Sequence, residues 1–105
     1  MNAMQQWSEE VGFPVTICDK NGIIVAMNQK SKELFKKDGG GKLIGKSLLD
    51  CHPEPSRTKL LIMLENHQPN TYISNSGGKD RLVHETPWYE QGEYMGFVEI
   101  IIAIP

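Results

Sequence analysis

The C-terminal run Gly92–Ile104, GEYMGFVEIIIAI, limits the possible folds more than any other stretch. Read as a strand, it points Val98, Ile100, Ile102 and Ile104 one way and Met95, Phe97, Ile101 and Ala103 the other. Only Glu99 interrupts the apolar character of the two faces. A strand apolar on both faces is central and covered on both sides. The expectation is that helices from earlier in the chain cover one face. The N-terminal segment, together with a second copy of the chain, covers the other.

The residues before this run supply its neighbours. Arg81–Tyr89 is a second strand-like run, joined to the last by a turn at Glu90-Gln91-Gly92. Pro87 within it implies a bulge or an edge position. Phe13–Cys18 and Ile23–Met27 form a hairpin closed by Asp19-Lys20-Asn21-Gly22, with aspartate opening the turn and glycine where a positive φ is needed. Asn28 stands at the N-cap of a helix running to Phe35. Asp38-Gly39-Gly40-Gly41 reads as a flexible loop and Lys42–Asp50 as a short helical or turn-like piece. Ser56 to about His67 is a longer helix with Leu60, Leu61 and Leu64 on one face, followed by a strand at Asn70–Ser74. Two strands, a helical block, then three strands indicate an antiparallel α+β domain.

Residues 2–11 place Ala3, Met4, Trp7 and Val11 at helical spacing. So short a helix must dock to be stable, and Trp7 is the expected anchor. The chain therefore divides into an N-terminal segment, 1–12, and one domain, 13–105. Its 105 residues suffice for a single modest core.

With net charge −2, the chain lacks the clustered cations a nucleic-acid binder needs. The basic group Lys30, Lys32, Lys36, Lys37 and Lys42 is diluted by Glu33 and Asp38 and reads as a solvated face. No apolar run reaches the ~20 residues of a membrane span, and MNAMQQWSEE lacks the pattern of a signal peptide. Two cysteines, Cys18 and Cys51, imply no disulfide framework and favour the cytoplasm.

Four features, in order, resemble the PAS sensor domain family. They are the strand leading into Asp19-x-Asn21-Gly22, the second strand ending at Asn28, the element Leu43-Ile44-Gly45-Lys46-Ser47-Leu48, and the closing Gly92-Glu93-Tyr94-x-Gly96-Phe97-Val98-Glu99. The stretch Cys51-His52-Pro53-Glu54-Pro55-Ser56 is similar to a subgroup of small bacterial PAS proteins. The resemblance covers about Phe13 to Ile104. It implies a five-stranded antiparallel sheet with helices over one face, a small pocket between them, and a sensory role without catalysis. It also implies a homodimer built on the sheet's outer face with an N-terminal helix, here Met4, Trp7, Val11 and Phe97. A signalling output protein or domain is a further partner. No output region follows Pro105, so the chain reads as a stand-alone sensor or as an excised piece of a longer one.

His84, Thr86 and Trp88 alternate on one strand face and offer a polar group, a hydroxyl and an aromatic wall for a small organic ligand. The alternative is a polar pair on the sheet surface with Trp88 in the core. Cys51 and His52 join them as candidate pocket residues; the plainer reading makes Cys51 a small buried group. A flavin is disfavoured because the family's cysteine motif is not matched around Cys51. Haem is kept as an alternative, with His52, His67 or His84 as the iron ligand. No zinc spacing or catalytic motif is present.

Overall fold

The computed structural model describes residues 5–105. The N-terminal hairpin pairs β1, Val15–Asp19, with β2, Ile24–Met27. Its turn is held by one carboxylate: Asp19 Oδ1 accepts from the Asn21 and Ile23 amides at 2.9 and 3.0 Å. Gly22 takes the positive φ there, 82°.

Before this hairpin lies α1, Gln6–Glu9, and after it α2, Gln29–Leu34. The Gly-rich stretch expected as a loop forms two 3-10 turns, Lys36–Asp38 and Gly40–Leu43. Helix α3, Leu48–Cys51, and the longer α4, Ser56–Asn66, follow. His67 lies just past the last turn of α4, in the left-handed region at φ 55°, so it caps the helix rather than extending it. The chain closes with β3, Asn70–Ser74, β4, Arg81–Glu90, and β5, Glu93–Ala103.

The five strands form one antiparallel sheet in the order β2-β1-β5-β4-β3. The two-faced apolar run is thus the central strand, as expected. A turn with positive φ at both Gln91 and Gly92 joins β4 to β5. Pro87 lies on an interior strand, and the pairing shifts by one residue beside it, between Trp88 and Tyr89. Immediately beyond that shift, Gly96 lies against β1. A Cβ on it would stand 2.1 Å from the Cys18 carbonyl oxygen.

One face of the sheet packs on the helices. Cys18 of β1 and Phe97 of β5 meet Leu60 and Leu64 of α4, with Leu48, Leu49, Met63 and Tyr94 around them. Phe97, expected on the outer face at a dimer contact, is therefore a core residue and only 6% exposed. Residues alternate along a strand, and Phe97 lies opposite Cys18 and Pro87 on the helix side.

On the opposite face Val15 and Ile17 pack with Val98, Ile100 and Trp88, and the N-terminal residues Val11 and Phe13 lie over them. That cover is partial. Ile102 and Ile104 remain 46% and 42% exposed in the single molecule.

The N-terminal segment does not dock through its tryptophan. Trp7 is 67% exposed, while Ser8 is buried and its carbonyl accepts from Asn28 Nδ2 at 2.8 Å. Asn28 is fully buried and uses its whole amide. Its Nδ2 also donates to the Phe13 carbonyl, and Oδ1 accepts from the Val15 and Ser31 amides. Expected only as a helix cap, it also ties the N-terminal segment, β1 and α2 together. Met4 lies outside the described residues.

Candidate functional site

Between the sheet and α3–α4 lies a cavity of about 50 Å³. The sheet supplies its floor: Thr16 and Cys18 from β1, Glu85 from β4, and Phe97 and Glu99 from β5. The cover is Leu48 of α3, His52 just after it, and Leu60 and Met63 of α4. The lining is mostly apolar, with polar groups concentrated at one place, where Glu85 and Glu99 face each other across the β4–β5 ladder.

Burial sets the chemistry of these groups. Loss of water raises the Glu99 carboxyl, helped by the charge of Glu85 and a hydrogen bond to it, and the result is about 7. Burial likewise pushes the Cys18 thiol up to about 11, so at neutral pH it is an unreactive thiol. Tyr72, on β3 two residues from Asn70, is pushed to about 12 by burial and by the charges of Glu85 and Glu99. Asn70 Nδ2 donates to Glu85 Oε1 at 3.2 Å. His52 Nδ1 lies 2.6 Å from the Leu48 carbonyl, which fixes the ring over the cavity. At the far end of α4 the His67 ring stacks on Tyr94 with 3.6 Å between centroids.

The structure rearranges the candidates drawn from the sequence. His52 lines the cavity. Cys51 does not; it is exposed rather than a small buried group, and the buried cysteine on the cavity is Cys18. His84, Thr86 and Trp88 do share one face, but it is the outer one. They pair with Ile100, Val98 and Gly96, whereas the cavity side of β4 carries Glu85. His84 Nδ1 meets Thr71 Oγ1 at 2.7 Å, and Trp88 Nε1 donates to the Cys18 carbonyl at 3.3 Å. These are structural hydrogen bonds on the side of the sheet facing away from the cavity. Sequence reasoning missed Glu85 and Glu99. The signal was present in Glu99, the one charge between Tyr94 and Ala103 in the most apolar strand.

A haem does not fit these residues. The cavity is several-fold below the ~300 Å³ at which pockets for larger ligands begin. Of the three histidines only His52 lines it, and that ring is held to the Leu48 carbonyl. Among the described residues no group of three or more His, Cys, Asp or Glu side chains is arranged for a metal ion. Nor is any described helix long and apolar enough to cross a membrane.

Five antiparallel strands in this order, with helices enclosing a cavity over one face, define the architecture of a PAS domain. The family model described as "PAS fold" matches residues 8–104, and the chain belongs to that family. Its fold is similar to that of the Aer2 receptor from Vibrio cholerae, a dual PAS-heme oxygen sensor. That match has 20% identity and a TM-score of 0.71 and covers 89% of this chain and 95% of the other. The PAS domain of Bordetella pertussis BvgS is similar at 18% identity and TM-score 0.69, covering 92% of this chain and 80% of the other. A sensory box sensor histidine kinase of Vibrio cholerae is similar at 15% identity and TM-score 0.65, covering 90% and 82%. No curated protein matches the sequence.

Proposed function

We propose that this PAS domain is a sensory module that takes a very small ligand between sheet and helices and relays its presence through the outer sheet face to a second copy. The cavity carries the reading. It lies beside the core cluster of Cys18, Leu60 and Phe97, and its lining combines apolar walls from Phe97, Leu60 and Met63 with two carboxyls and an imidazole. Polar groups converging on an apolar space are what fixes a ligand's orientation. At about 50 Å³ the space holds a few water-sized groups. A larger ligand enters only if α3 and α4 move outward, and that motion is the natural signal. A ligand that binds one helix arrangement more tightly shifts the population toward it.

The relay reading rests on the outer face. Ile73 on β3, Ile102 on β5 and Ile104 just beyond it are exposed, as are Trp7 and Val25. Trp7 and Val11 on the 1–12 segment are the proposed dimer contacts. Phe97 leaves that set because it is buried in the core. The two free cysteines suit a reducing compartment such as the cytoplasm.

Thermal stability measured against a panel of small polar molecules tests the ligand. A compound that raises Tm for the native chain should lose its effect in Met63→Trp, which fills the cavity. If no compound shifts Tm, the ligand reading falls. The small cavity then favours a second reading, a ligand-free dimerisation domain that keeps the outer face and its self-association.

A further inference from the structure

The inner face of the β4–β5 ladder also holds a like-charge pair whose effect on stability needs no ligand. Glu85 and Glu99 are directly paired, and side chains so placed on antiparallel strands have Cβ atoms only ~5 Å apart. Both line the same cavity. Like charges directly opposite each other destabilise a sheet, and no lysine or arginine lines the cavity among the described residues.

The groups around the pair offer hydrogen bonds but little charge. From β1 come Thr16, whose hydroxyl is bonded to Ser31 Oγ, and the neutral thiol of Cys18. From β3 come Tyr72, neutral at ordinary pH, and Asn70, which donates to Glu85. From the cover come Leu48, Leu60 and Met63, and the imidazole of His52. Asn70 stabilises charge on Glu85 specifically. That leaves Glu99 as the partner that must be neutralised.

We propose that Glu99 keeps a proton in the folded state and donates it to the Glu85 carboxylate, and that losing this proton as pH rises sets two like charges across the pocket floor and loosens the domain. The PAS core is then itself proton-responsive. The inference needs no ligand, so its failure would leave the proposed function standing.

The direction follows from linkage. Folding raises the Glu99 carboxyl from its ordinary value of 4.5 to about 7. Between those values the folded chain binds more protons than the unfolded one, so stability falls as pH rises. The contribution is fully present below about 4.5 and gone above about 7.

The test combines a titration with three variants of the full chain. In the native protein the side-chain carboxyl carbon of Glu99, followed by NMR, should titrate well above the ordinary glutamate range, and Tm should drop by ~5 °C or more between pH 5 and 8. Glu99→Gln, which mimics the protonated state, should flatten that drop and exceed the native Tm at pH 8. Glu85→Gln should flatten it as well, and His52→Gln should leave it in place. A Glu99 resonance that titrates at the ordinary value overturns the proposal, even if a variant fails to fold. So does a slope unchanged in Glu99→Gln, or one abolished by His52→Gln.

Discussion

At the scale of single residues, the side chain that holds most together is Asn28, not an apolar one. Its amide makes four hydrogen bonds to the main chain of Ser8, Phe13, Val15 and Ser31, all between 2.8 and 2.9 Å. Asn28→Ala strands those groups where water does not reach, and each unmet buried polar group costs about 1–3 kcal/mol. Chemical denaturation should report a loss of about 3–5 kcal/mol, at the severe end for one substitution. The two cysteines make a second residue-scale contrast. Cys51 is exposed; Cys18 is 2% exposed and its thiol is pushed up to about 11. A thiol reagent at neutral pH should therefore label one cysteine per folded chain, Cys51, and reach Cys18 only on unfolding. Rapid labelling of both would contradict the packing of Cys18 against Phe97 and Leu64.

At the scale of elements, the two hairpins were legible because turn chemistry is local. Asp19 and Gly22 close the first hairpin as their residue types demand, and Gln91-Gly92 closes the last. Which face of β4 meets the cavity was not legible, for a geometric reason. Counting back from an unbroken turn at Gln91-Gly92 would set Glu85 opposite Val98. The one-residue shift between Trp88 and Tyr89 sets it opposite Glu99 instead. A single bulge therefore decides that two carboxyls share the pocket floor while His84, Thr86 and Trp88 turn outward. Pro87 hinted at that bulge but could not say which residue it displaced. Alternation alone sorts residues into two sets and does not say which set the helices cover, and β5 is apolar on both. Gly96 follows the shift and lets β5 lie against β1. Gly96→Ala would drive a methyl group into the Cys18 carbonyl and force the strands apart. A stability loss of about 3 kcal/mol or more is expected, read as a fall in Tm. A neutral outcome would mean that the β1–β5 pairing is looser than described.

At the scale of the whole molecule, the central strand is closed on its helix side and only partly covered on the other. This asymmetry separates folding from association. Phe97 and Trp7, both expected from the sequence at a subunit contact, fall on opposite sides of it. Phe97 is buried against Cys18, Leu60 and Leu64, whereas Trp7 has most of its surface in water. Phe97→Ala should cost about 3–5 kcal/mol of stability through the cavity it opens. Trp7→Ala removes little from the isolated subunit, so its unfolding free energy should change by no more than about 0.5 kcal/mol. If the outer face joins two copies, the same Trp7→Ala change should weaken self-association about tenfold or more, because exposed tryptophans are frequent anchors of interfaces. Sedimentation across a concentration series, set beside denaturation of the same variant, measures both numbers at once. Unaltered association in a stable Trp7→Ala chain would remove the N-terminal segment from the interface. The exposed isoleucines on β3 and at the end of β5 would then have to carry it alone, and Ile102→Glu would be the substitution that separates the copies.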